Sequence, residues 1–200
     1  MEKHIDLKKR IASMTSNILN PFLVGLLLIV MLSFTSTANT KDALKWSVLA
    51  IGMSLLPVFL LMLFFMHQGS LDNFFISVRQ QRTKIYLFGF FFSSVCCAIL
   101  AYLDAPFALV ALFATGLSSV FIFALINFWW KISIHTAIIA GMATMLILMY
   151  GWVASASVVL VPLTAWARIE LKNHSPAQTV IGAVLATVIV VGIFYPLALA

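Results

Sequence analysis

Charge is scarce in this 200-residue chain: Asp, Glu, Lys and Arg together make up 9% of it, against roughly a quarter in soluble proteins. With 63% hydrophobic residues, water is excluded as its main solvent. Acidic side chains are the scarcer sign, six against twelve basic ones, and no aspartate-rich motif is present to carry magnesium with a diphosphate. Cysteine is confined to the adjacent Cys96 and Cys97, a pair that says nothing about a disulfide framework or a compartment. The cations are not interleaved with aromatics as in a nucleic-acid surface, so no nucleic-acid partner is expected. No internal repeat or low-complexity segment stands out.

What is abundant is uncharged length. A hydrocarbon core about 30 Å thick needs about 20 apolar residues at about 1.5 Å each. Asn17–Thr40, Trp46–Met66, Ile85–Leu103 and Ala105–Trp130 each lack charge over such a length, and Gln178–Ala200 supplies another such run. Thr136–Ala167 is also uncharged, but as one straight helix it would run about 48 Å, too long for a crossing without steep tilt. A break is expected at Tyr150–Gly151–Trp152, where glycine sits between two aromatics of the kind that settle at membrane interfaces. The expectation is therefore an all-α, polytopic transmembrane helical bundle of about seven spans. It forms a single transmembrane domain over residues 1–200, opened by a short basic segment at 1–16. The first apolar run exceeds the 7–15-residue core of a signal peptide and reads as a retained helix; cleavage there would leave six spans.

With the N-terminus cytoplasmic, Lys3, Lys8, Lys9, Arg10, Arg79, Arg82, Lys84, Lys131, Arg168 and Lys172 lie inside, and Lys41 and Lys45 outside. Setting aside Arg79, Arg82, Lys131 and Arg168 as cations with another use leaves the same bias. A multi-pass protein with its N-terminus and polar loops in the cytoplasm follows.

Three polar loops then share one face. His67–Lys84 carries Asp72, Arg79, Arg82 and Lys84; Trp129–His135 carries Lys131 and Ser133; Trp166–Gln178 carries Arg168, Glu170, Lys172 and His174. Arginine and lysine match phosphate oxygens, and histidine serves as nucleophile, acid or base near neutral pH. Ser175-Pro176-Ala177-Gln178 reads as a helix start, with Ser175 as N-cap, Pro176 in the first helical position and Gln178 closing a capping box. His174 would stand just before that helix N-terminus, where free N–H groups and the dipole favour an anion.

The third loop resembles the last signature of the type 2 phosphatidic acid phosphatase superfamily, in which an arginine is followed by a histidine and then an aspartate. Arg168 and His174 keep the RxxxxxH spacing, and Ser133 and His135 keep part of the PSGH signature. The first signature, a lysine with RP seven residues on, is not matched; Arg82 is the candidate there. The resemblance implies an all-helical membrane enzyme acting on phosphorylated lipids or isoprenyl diphosphates within the lipid bilayer, with no metal and no cofactor. It implies His174 as nucleophile, His135 as acid, and Lys131, Arg168, Arg82 and Ser133 as ligands of the phosphoryl oxygens. Gln178 takes the place of the aspartate that orients the nucleophile. The comparable Asp-to-Asn change in a Ser-His-Asp triad costs about ten-thousandfold, on the order of 5.5 kcal/mol of barrier. The superfamily also carries its site on the outward or lumenal face, the reverse of the charge bias here.

A catalytically silent protein of the same fold, binding phosphorylated lipid or supporting a partner, stays open as an alternative, because the cations also suit topological anchoring and Gln178 is complete as a cap. A transporter is disfavoured by the lack of carboxylates within the spans. Ala137 with Gly141, and Gly182 with Ala186, are small residues at four-residue spacing that suit close helix packing or a homo-oligomer contact.

Overall fold

Asn20 and Pro21 divide the first uncharged run. Asn20 Oδ1 accepts the Leu23 N–H at 2.9 Å, and Pro21, which has no N–H to lose, opens the next helix. The run predicted as one span from Asn17 thus holds a single full helix, α2 (Pro21–Thr35), and only the last two residues of α1 (Leu7–Ile18), which makes most of the basic N-terminal segment helical. These elements come from a computed structural model that describes residues 7–71 and 79–198, and every element among them is helical.

Asn39 starts α3 (Thr40–Ala50) by accepting the Asp42 N–H at 2.9 Å while its Nδ2 donates to Asp42 Oδ2 at 2.6 Å. A wider π-helical turn over Ile51–Leu55 then leads into α4 (Leu56–His67), whose second residue is Pro57. The proline ring cannot donate to the preceding turn, and widening that turn relieves the clash with its carbonyl. Ser54 Oγ donates to the Ala50 carbonyl at 2.6 Å inside the widened turn. α4 ends on Gly69 at φ 70°, with the Ser70 N–H reaching back to Phe65 O at 2.9 Å.

α5 (Arg79–Tyr102) and α6 (Phe107–Ile126) pack as a pair joined by a tight turn in which Asp104 takes φ 52°. Because α5 begins at Arg79, Arg82 and Lys84 lie in its first turns rather than in the predicted loop; Asp72 falls outside the described residues. α7 (Ile134–Tyr150) stops at Gly151, whose φ of 69° with ψ of −155° is open to glycine alone. A 3₁₀ segment, Gly151–Val159, leads to α8 (Leu160–Glu170), and α9 (Pro176–Ala198) closes the chain. The break expected at Tyr150–Trp152 therefore falls on Gly151. α8 packs back along α7, and Lys131 Nζ donates to Asn173 O at 2.8 Å, so the two ends of the stretch Ile134–Glu170 meet.

The chain forms two compact units, one of residues 1–24 with 131–200 and the other of Gly25–Trp130. The first is centred on α7 against α9, with α8 beside both and α1 on α8. Its core holds Ile139, Met145, Val190 and Phe194, all nearly inaccessible. Small residues set the spacing: a Cβ on Gly141 would lie 3.4 Å from Val190 and 3.8 Å from Ala186 Cβ, so the predicted pairs Ala137/Gly141 and Gly182/Ala186 serve packing within this chain. Thr144 and Thr187 bond across the same contact, Oγ1 to Oγ1 at 3.2 Å.

Six helical stretches among the described residues are long and apolar enough to cross a membrane: Leu7–Thr35, Thr40–His67, Gln80–Tyr102, Phe107–Ile126, Ile134–Glu170 and Pro176–Tyr195. This is a multi-pass, all-helical membrane architecture. Leu87, Phe91, Phe107, Trp152 and Val188 lie exposed, as lipid-facing side chains do.

Candidate functional site

The second and third polar loops meet in the first unit, at the start of α9. Ser175 caps that helix as the sequence predicts: its Oγ accepts the Gln178 N–H at 3.3 Å, and Gln178 Oε1 returns to accept the Ser175 N–H at 3.1 Å. The same Oε1 lies 3.1 Å from His174 Nδ1. Its bond from the Ser175 N–H identifies this atom as the amide oxygen, which carries no proton, so Nδ1 must be the donor and carry the hydrogen. In the neutral imidazole the lone pair then belongs to Nε2. Gln178 is thus both cap and orienting group for His174.

α8 delivers Arg168 and the loop backbone. Its last turn closes on Lys172, held at φ 56°, with Lys172 N–H to Ile169 O at 2.8 Å and Asn173 N–H to Arg168 O at 3.0 Å. The His174 N–H also reaches Arg168 O, at 3.3 Å, so the arginine's own carbonyl sets the position of the histidine. The Arg168 side chain reaches α1: Nη1 donates to Ser16 Oγ at 2.8 Å, and both residues are 1% exposed.

The second loop is laid over α9 by a close backbone approach. The Ser133 N–H donates to Gln178 O at 3.2 Å, and a Cβ on Gly182, one turn further on, would lie 2.9 Å from Ser133 O and 2.9 Å from Ile132 Cγ2. Only a residue without a side chain fits there. Ser133 Oγ caps α7 through the Thr136 N–H and sits 3.0 Å from Thr136 Oγ1. His135 follows in the first turn of α7; it is 6% exposed and His174 is 7% exposed. Lys131, through its bond to Asn173 O, brings an ammonium to the residue preceding His174.

Lys131, Ser133, Arg168, His174, Ser175 and Gln178 are therefore linked by hydrogen bonds in one unit, and His135 stands two residues from Ser133. Arg82 belongs to the other unit, buried in α5 one turn from the buried Tyr86. Two features of the cluster have no signal in the sequence, Ser16 as the partner of Arg168 and Asn173 O as the acceptor of Lys131, whereas the Thr179 hydroxyl on Pro176 O at 2.7 Å is a local back-bond in the first turn of α9. Ser16 is 152 positions from Arg168, and no local pattern pairs them. Among the described residues no group of three or more His, Cys, Asp and Glu side chains is arranged to hold a metal ion. No protein-family model matches this chain, and comparison with curated proteins and with solved structures likewise finds no match.

Proposed function

We propose that this chain is an integral membrane phosphatase-like enzyme that hydrolyses a lipid-linked phosphate or diphosphate through a phosphohistidine, without a metal. The observation that carries this reading is the bond from His174 Nδ1 to Gln178 Oε1, which leaves the Nε2 lone pair as nucleophile at the start of α9. In the first step Nε2 attacks phosphorus; a P–N bond forms, the bond from phosphorus to the leaving oxygen breaks, and His135 gives that oxygen its proton. Water then attacks the phosphohistidine, His135 takes the proton from it, and the P–N bond breaks to release phosphate. Lys131, Ser133 and Arg168 hold the phosphoryl oxygens, with the N–H groups opening α9 adding partial positive charge. Gln178 offers a carbonyl dipole where a carboxylate would offer a full charge, which favours an easily expelled leaving group such as a diphosphate.

The proposal includes seven crossings. α7 runs about 25 Å, and the 3₁₀ segment with α8 about 34 Å, so each arm of Ile134–Glu170 has the length of a crossing. It also includes a retained first helix and a cytoplasmic site, from the excess of basic residues on that side.

One observation favours a second reading. Arg168 is 1% exposed and donates to Ser16, as a guanidinium used to tie α1 to α8 would be. On that reading the cluster binds a phosphorylated lipid without turning it over. Phosphate release by purified protein from phosphatidic acid, phosphatidylglycerol phosphate and isoprenyl diphosphates, with EDTA present, separates the two. Metal-independent release lost in His174→Ala and raised in Gln178→Asp supports the enzyme. Release that persists in His174→Ala removes the nucleophile, and no release with retained lipid binding establishes the silent binder.

A further inference from the structure

α1 presents three faces. At about 100° per residue, Leu7, Ile11, Met14 and Ile18 fall within an arc of about 60°. All four are exposed, at 70%, 47%, 63% and 59%. Ala12 and Ser16, fully buried on α8, lie on the far side of the helix, and Ser13 and Asn17 form an exposed polar edge between. Lys8 and Arg10 flank the apolar stripe on either side and Lys9 lies opposite it, near the azimuth of Ser16; all three are exposed.

We infer that α1 is a membrane-surface helix that sets its Leu7/Ile11/Met14/Ile18 stripe into the acyl boundary of the leaflet and its flanking Lys8 and Arg10 among anionic lipid headgroups. Three observations support this. The stripe is not the face α1 uses to pack, so protein does not cover it within the unit that holds α1. Ser16 meets Arg168 at the polar end of α8, the end that continues into Glu170, Lys172 and Asn173, so the last turn of α1 lies at the depth where a span leaves the hydrocarbon. Only Leu19 and Asn20 separate α1 from the uncharged α2, so the stripe stays within reach of the bilayer and cannot move away into water. An apolar centre with basic flanks suits that boundary: the stripe is desolvated while the lysine and arginine stems extend to the phosphates. Lipid of net negative charge is the partner because the stripe is flanked by two cations and the helix has no acidic residue. The inference is independent of phosphohistidine chemistry.

The test uses the full chain in vesicles of phosphatidylcholine alone and of phosphatidylcholine mixed with the anionic lipid phosphatidylglycerol. Single cysteines at Ile11 or Met14, and at Ser13 or Asn17 as controls, carry an environment-sensitive fluorophore; the unsubstituted protein gives the background from Cys96 and Cys97. The Ile11→Cys and Met14→Cys labels are expected to be blue-shifted and quenched by a shallow nitroxide lipid, and the Ser13→Cys and Asn17→Cys labels by aqueous iodide. Changing Lys8 and Arg10 to Gln together should abolish the additional blue shift seen with phosphatidylglycerol, and Lys9→Gln alone should leave it. Equal iodide quenching on both faces overturns the inference. Stripe labels reached by neither quencher also overturn it, because a second protein surface would then cover the stripe.

Discussion

Replacing Gly182 with Ala is the sharpest perturbation the fold offers. The added methyl would lie 2.9 Å from Ser133 O and 2.9 Å from Ile132 Cγ2. One of these is backbone and cannot swing aside as a side chain does, so the second loop must lift from α9, stretching the Ser133 N–H bond to Gln178 O from its 3.2 Å. Overpacking costs about 1–3 kcal/mol, and the weakened hydrogen bond adds about 0.5–1.5 kcal/mol. Against this, alanine gains about 1 kcal/mol of helix propensity over glycine. The net is a loss of about 0.5–3.5 kcal/mol, or a fall of several degrees in Tm at about 2–4 °C per kcal/mol for a chain of this size. A single thiol in the same unit provides the assay: with Cys96 and Cys97 changed to Ser, a Val190→Cys thiol, buried on α9, reacts with a maleimide dye in detergent only as that unit unfolds. Gly192→Ala in the same helix is the control, because a Cβ there meets nothing within 4 Å. It should leave Tm unchanged or raise it. Equal melting temperatures for the two variants would refute the close approach of Ser133 to α9.

Lys172→Gly should stabilise the protein by about 0.5–1 kcal/mol in the same assay, since it relieves a left-handed backbone at φ 56° that an L side chain adopts at a cost. Ser16→Ala removes a hydrogen bond to a buried guanidinium and should cost about 1.5–3 kcal/mol, read as a lower melting temperature. Gln178→Leu removes the acceptor shared by Ser175 N–H and His174 Nδ1; it should cost about 1 kcal/mol of stability and, where phosphate release occurs, reduce it at least tenfold, while Gln178→Asp raises it. In a double-mutant cycle, Thr144→Val and Thr187→Val should couple by about 0.6 kcal/mol, as helix contacts in membranes do.

The sequence by itself determines the class of solvent and much of the local grammar. Uncharged length dictates membrane-length helices, because an unpaired backbone in hydrocarbon costs too much for any other local structure. Ser175 and Gln178 determine the start of α9 from four adjacent residues, and Gly151 the break after α7, because caps and left-handed positions are local chemistry. Asn20-Pro21 and the apolar spacing of Leu7, Ile11, Met14 and Ile18 were equally local signals for a separate α1. What only the tertiary structure decided is which polar groups meet. The approach of Ser133 to Gln178 depends on the space above Gly182, the reach of Lys131 to Asn173 on the return of α8 along α7, and the Arg168–Ser16 bond on the docking of α1 against α8. Each joins residues far apart in the chain through a packing distance, and packing distance is set by the side chains of both partners at once, which no window of one sequence contains.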